Sequence, residues 1–239
     1  LVGSEMCIRD SHLNEDFSSL KLKKVDSIVD FAIKNKMTPG VQLLIAKNGS
    51  VIYNKSYGHH TYNKKIFVQN EDIYDLASIT KILVSLPLII REIELKSLTF
   101  DSSLSSFFPK INLFEKKNIK LKEMLSHYSR LTPWIPFYKE TLDSVTNTQL
   151  DSYYSNKKTS DFNVEVREGL YMQLWDDIIF DKIIKSELLE SKEYKYSDLP
   201  YYLIKKYLED KYGKSLDKLI RDYIFSVSYT HLRAHETSE

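Results

Sequence analysis

Apolar positions along the chain recur with two different periods. Leu22, Val25, Ile28, Val29 and Ala32 fall at helical spacing and predict an amphipathic helix from about Leu20 to near Lys36. Pro39-Gly40 then interrupts the chain. Residues 41–47 and 51–57 read as two strands around Asn48-Gly49, the dipeptide that suits a two-residue hairpin turn, and Gly58 ends the second strand. Beyond the polar run Asn70-Glu71-Asp72, the segment Ile82-Leu83-Val84-Ser85-Leu86-Pro87-Leu88-Ile89-Ile90 is apolar enough to be a buried helix. Residues 98–109 read as a loop with buried anchors, residues 121–127 as a short helix and residues 131–138 as a rigid aromatic loop. Trp134 in that loop reads as a core aromatic, with the lining of a groove as the alternative. Residues 143–163 are polar and without a period, whereas residues 174–189, 199–212 and 216–225 carry helical periods. Helix, hairpin and then a mostly helical stretch predict an α+β fold.

Composition narrows the function classes. A chain of 239 residues suffices for one good-sized core or two small layers. A net charge of +1 supplies no field for nucleic acid or an anionic membrane. No apolar run reaches transmembrane length without a charge or a proline. Seventeen tyrosines and 11 phenylalanines against 6 glycines and 6 prolines describe a folded, aromatic-rich domain and not a linker. The two ends, residues 1–11 and 226–239, resemble translated sequencing-adapter read-through, which sets them apart from the native domain at 12–225. The single cysteine, Cys7, falls in the first of these tails, so no disulfide or thiol chemistry is expected. Neighbouring His59 and His60 in a polar loop point apart and are not read as metal ligands.

Candidate chemistry centres on Ser78-Ile79-Thr80-Lys81. Serine at a helix start and lysine one turn later share a face. A hydroxyl becomes a useful nucleophile when a neighbour takes its proton, and backbone N–H groups at a helix N-terminus favour negative charge there. The spacing itself is cheap. Ser18/Lys21, Ser155/Lys158 and Ser215/Lys218 repeat it, but Ser18 and Ser215 read as helix N-caps and Ser155 lies in a polar stretch. Only Ser78 leads into a buried helix.

These residues resemble the beta-lactamase-like, penicillin-binding serine hydrolases, on the class C or esterase side. The resemblance runs through most of residues 12–225: Pro39-Gly40-Val41 before the hairpin, Asn48 to Tyr53, Tyr57-Gly58, Leu76 to Lys81, Leu98 to Asp101, and Ile119 to Leu131, where Arg130 stands in place of the usual glycine. Trp134 to Tyr138 and Glu193 to Leu199 look closest to a Bacteroidetes-type branch, in which this domain follows a family-3 glycoside hydrolase. The resemblance implies Ser78 as nucleophile, Lys81 as its partner and a Tyr-x-Asn tyrosine that shuttles protons. Tyr154-Ser155-Asn156 matches that motif literally, but Tyr196-Ser197-Asp198 precedes an apolar helix as the motif does, and Tyr196 is preferred. Asp198 is the departure. A carboxylate only accepts hydrogen bonds, so it is expected to hold Lys81 charged and favour Tyr196 as base, or to serve as a helix N-cap.

The family's third motif, Lys/His-x-Gly on a strand, has no match, since Gly213 is the only glycine after Asp198 and lies in an inter-helix turn. That strand would supply the second oxyanion donor. The C-terminal strands are therefore expected to be missing, and this chain to be inactive where its parent is not. For the parent, the resemblance implies acyl-enzyme chemistry on beta-lactam, D-alanyl-peptide or ester substrates, with no cofactor and no metal. It further suggests cell-wall metabolism outside the cytoplasm and an N-terminal glycoside hydrolase partner domain. The rival reading is a module that binds peptidoglycan fragments without turnover.

Overall fold

The computed structural model describes residues 19–112 and 114–226; the expectations placed on residues 1–11, on Cys7, on Ser18 and on residues 227–239 lie outside them. The chain divides into two compact units, Leu1–Asp75 and Leu76–Glu239.

The first unit contains α1 (Ser19–Lys34), β1 (Gly40–Lys47) and β2 (Ser50–Gly58). The strands form an antiparallel hairpin pairing Lys47 with Ser50 and Gly40 with Gly58, with a register shift at Ile45/Ala46. Its two-residue turn places Asn48 at φ 52° and Gly49 at φ 78°, the paired positive values that match the twist of the flanking strands. At the other end, a Cβ on Gly40 would lie 2.5 Å from the His59 carbonyl oxygen, so only glycine lets the backbones meet there. Asp26 on α1 ties the helix to β2, accepting hydrogen bonds from Tyr53 (2.7 Å), Tyr57 (2.7 Å) and Lys55 (2.9 Å). These donors, Tyr57 first, hold the Asp26 carboxyl well below the usual carboxylate range. His59 stacks on Phe67 and His60 pairs with Asp72 at 2.6 Å, so the two imidazoles engage different partners.

The second unit is helical with one small sheet. Its long elements are α2 (Leu86–Glu94), which continues a π-turn at Lys81–Ser85, α5 (Asp176–Lys185) and α6 (Leu199–Tyr212). Between them come two short helices, α3 (Leu104–Phe107) and α4 (Leu121–Leu125). A single turn, α7 (Leu216–Ile220), follows α6. Leu88 and Ile89 of α2, Met124 of α4, Ile183 of α5 and Leu199, Leu203, Ile204 and Leu208 of α6 meet in one buried cluster. The anchors expected in residues 98–109 are there as well: Leu98, Leu104, Phe107 and Phe108 are buried. Glu92 is buried among these side chains, its carboxylate accepting from Lys211 and Tyr212 of α6. Gly213, at φ 61°, ends α6 with its N–H on the Glu209 carbonyl.

The structure departs from the sequence reading at three places. Residues 98–109, read as a loop, include the short helix α3. The polar stretch 143–163 contributes β3 (Tyr154–Ser155), which joins β4 (Val164–Arg167) and β5 (Leu170–Met172) in the order β3-β5-β4. Strands this short have too few residues to show a period. Trp134 is 56% exposed and is not a core residue; the core under its loop is filled by Leu131 instead. Elsewhere the α+β reading holds, and Arg130 explains why glycine suits its position: it sits at φ 62°, held there by its Nε donating to the Leu189 carbonyl at 2.5 Å.

Candidate active site

Ser78 lies in the turn that leads into the π-turn and α2, with the Lys81 N–H on its own carbonyl at 3.1 Å. Ala77, immediately before it, is held at φ 43°, a left-handed conformation that costs an alanine about 1–2 kcal/mol. Such strain concentrates at sites where the chain must aim a side chain. The π-turn follows at once, and Pro87 accounts for it. A proline at this position has no N–H for the Leu83 carbonyl, and its ring would strike that oxygen in a regular α-helix. Widening the turn answers this, and the Leu86 N–H reaches back five residues to Lys81.

The four residues singled out from the sequence come together. Lys81 Nζ donates to Ser78 Oγ at 2.9 Å, and the Tyr196 hydroxyl donates to the same oxygen at 2.9 Å. Asp198 Oδ1 lies 2.6 Å from Lys81 Nζ. The ammonium also sits 5.2 Å from the Tyr196 ring and 5.5 Å from the Tyr201 ring. Burial acts to lower the Lys81 pKa, but the hydrogen bonds to Asp198 and Tyr196 outweigh it and the net shift is upward. Tyr196 is shifted downward, chiefly by Lys81 and then by Ser78. Asp198 thus keeps Lys81 charged, and the charged lysine stabilises a Tyr196 phenolate. An open cleft of about 380 Å³ extends from Ser78 and Lys81 past Asp198, Tyr201 and Tyr202 to Leu216.

Tyr154, the literal motif match, lies elsewhere, in β3, with its hydroxyl on Thr141 Oγ1 at 2.8 Å. Asp198 occupies the N-cap position of α6 without using its side chain as a cap. Ser197 does that work instead: its Oγ accepts the Leu199 N–H at 3.2 Å and donates to the Thr132 carbonyl at 2.6 Å. Sequence reasoning passed over Ser197 and His127. A serine just ahead of Asp198-Leu199-Pro200 was the available signal for the first. A larger groove of about 490 Å³ opens beside Phe108 and Phe180, but no serine, threonine or cysteine lines it and its Asp177 and Asp210 are both paired with Lys206. Among the described residues no group of three or more His, Cys, Asp or Glu is placed to hold a metal ion.

An α+β fold carrying a serine, a lysine and a tyrosine on one oxygen defines the beta-lactamase and penicillin-binding class. The model of the Beta-lactamase family matches residues 25–238, and the chain belongs to that family. Protein flp of Staphylococcus aureus is 29% identical over 128 residues, which are 52% of this chain and 25% of that protein. Among solved structures, the octameric penicillin-binding protein homologue from Pyrococcus abyssi superposes with a TM-score of 0.61 at 21% identity, over 86% of this chain and 42% of that one. A putative beta-lactamase from Bacteroides dorei gives 0.56 at 20% identity, over 86% and 51%. The chain therefore spans about a quarter of flp and about half of these solved neighbours.

Proposed function

We propose that Ser78 is the nucleophile of a serine hydrolase or acyltransferase, with Tyr196 as its base and Lys81 as the charge that activates Tyr196. The observation that carries this is the convergence of Tyr196 and Lys81 on Ser78 Oγ, each at 2.9 Å. The Tyr196 phenolate takes the Ser78 proton as Oγ bonds to a carbonyl carbon, and then returns that proton to the departing amine or alkoxide. Water, or an acceptor amine, gives its proton to Tyr196 and releases the acyl group by the reverse path. The Ser78 N–H near the helix start is the oxyanion donor this chain offers. Among the described residues Gly213 is the only glycine after Asp198, and it caps α6.

For the whole protein the proposed substrates are beta-lactams, D-alanyl peptides or small esters, handled without a cofactor. Cell-wall metabolism outside the cytoplasm, and fusion behind a glycoside hydrolase, are the proposed setting. Membership of the beta-lactamase family supports the hydrolase part of this reading. Among the described residues no helix is long and apolar enough to cross a membrane. The test is prolonged labelling with a fluorophosphonate ester and a fluorescent penicillin, on the chain and on Ser78→Ala. Attachment to Ser78 in the first and none in the second is expected. Equal behaviour of the two would leave the rival reading, a peptidoglycan-binding module, for which the carboxylate of Asp198 is the supporting departure.

Asp198→Asn restores the family's amide and removes the anion that holds Lys81 upward. The Lys81 ammonium is expected to titrate lower in this variant, as read by nitrogen-detected NMR of the lysine side chains, while Ser78 still labels.

A further inference from the structure

His127 stands apart from the serine, lysine and tyrosine, yet it touches the tyrosine's segment at three points. Its ring lies against that of Tyr196, with centroids 4.4 Å apart and planes tilted by 36°. Its Nδ1 accepts the Ser197 N–H at 3.3 Å, and its carbonyl accepts the Lys195 N–H at 2.9 Å. The residues on either side of Tyr196 are thus hung from one histidine. His127 lies two residues beyond α4 and is tied back to it by its N–H on the Met124 carbonyl at 3.4 Å, with its backbone at φ 62°, a left-handed conformation that histidine adopts more readily than most residues. An acceptor role for Nδ1 places the ring proton on Nε2. Burial, and then the charge of Lys81, lower the His127 pKa, which keeps the acceptor available; the charge of Asp198 acts in the opposite sense. The ring's other neighbours are Tyr194 at 6.0 Å and Tyr201 at 5.8 Å, both phenols.

We propose that His127 is the positioning residue for Tyr196, setting the phenol on Ser78 Oγ through ring contact and the bond from the Ser197 N–H. This rests on the reading of Tyr196 as the base, and its role is exerted through Tyr196 and not on substrate. It has a sharp signature. A residue that merely stabilised the fold would alter the melting temperature, whereas a positioning residue alters the titration of one particular phenol.

The experiment uses the full chain with tyrosine labelled at Cζ. Tyr196 is assigned as the resonance lost in Tyr196→Phe and is followed by NMR against pH. Two variants separate the contacts. His127→Asn keeps a left-handed backbone and an acceptor near Nδ1 but lacks the ring; His127→Gly keeps the backbone and lacks both. The Tyr196 titration is expected to move up toward the ordinary tyrosine value in both variants, and further in the glycine variant. Fluorophosphonate labelling of Ser78 should fall by about ten- to a hundredfold, as expected for a displaced catalytic group. An unmoved Tyr196 titration in a folded His127→Gly chain overturns the proposal, and should that variant not fold, the same result in His127→Asn does so. If no probe labels Ser78 even in the unaltered chain, the nucleophile reading fails, while the Tyr196 titration still decides the role of His127.

Discussion

Tyr196→Phe is expected to slow acylation of Ser78 by about a hundred- to ten-thousandfold, the range associated with losing a general base. The substitution removes one oxygen and leaves the ring contact with His127 in place. Lys81 remains 2.9 Å from Ser78, but Asp198 still favours its charged form, so it is a poor proton acceptor near neutrality. The pH profile carries a second test. Tyr196 is shifted below the ordinary tyrosine value of about 10 and Lys81 above the ordinary lysine value of about 10.4. The rate should therefore rise with pH as the phenolate forms and fall only when the ammonium is lost. These two limbs belong to the coupled pair and not to either residue alone. In Tyr196→Phe the rising limb should vanish. Phosphonylation of Ser78 by a fluorophosphonate, with loss of fluoride, followed by intact-protein mass spectrometry from pH 6 to 11, measures both (about five units, spanning the ordinary values). A rate within a factor of three of the parent would remove Tyr196 from the mechanism, being well below any general-base effect.

Glu92→Ala has the largest expected effect on stability. The Glu92 side chain is 1% exposed, and its two oxygens accept from Lys211 and Tyr212, while Arg91 lies 3.7 Å away and donates to the Tyr212 hydroxyl at 2.9 Å. Truncating one member of a buried ion pair costs about 3–5 kcal/mol, because the partner charge is left behind. Lys211 keeps 31% of its side-chain surface, so water compensates part of its loss and the low end, about 3 kcal/mol, applies. That corresponds to a fall of roughly 6–12 °C in thermal midpoint for a unit of this size. Glu94→Ala, on the exposed side of the same helix, is the control and should stay within about 0.5 kcal/mol. Equal midpoints for the two variants would show that Glu92 is not a cross-link between α2 and α6.

The parts of this molecule that were readable in the sequence are those set by local rules. Asn48-Gly49 specifies its turn through backbone sterics alone, and the apolar period of residues 199–212 specifies the buried face of α6. Ser78 and Lys81 were legible because one helical turn brings them together. Tyr196 needed the apolar helix after it to be preferred over Tyr154, because the motif string by itself pointed to Tyr154, whose hydroxyl bonds Thr141 and not Ser78. What escaped was decided at long range. The β3-β5-β4 sheet is the exception: it is local, within residues 154–172, and it escaped because none of its strands exceeds four residues, too few to show a period. Trp134 is exposed because neighbouring residues already fill the core, which composition does not reveal. His127 and Glu92 act through partners about 70 and 120 residues away, and no periodicity encodes such pairings.

The widened turn at Lys81–Ser85 has a consequence for how this helix tolerates change. Five residues wound as π-helix lag an α-helix by about one residue, or roughly 100° of rotation. The stretch before Pro87 that aims Lys81 at Ser78 and the stretch after it that buries Leu88, Ile89 and Glu92 are therefore set to different phases. The turn works as a gearing between a reactive face and a structural face. The turn is therefore the one place where this helix holds an extra residue without disturbing either face, and deleting one from 82–86 would leave both aimed as they are but set the Pro87 ring against the carbonyl four residues back. Adding or removing a residue in the α-helical part that follows would instead rotate one face against the other by roughly 100°.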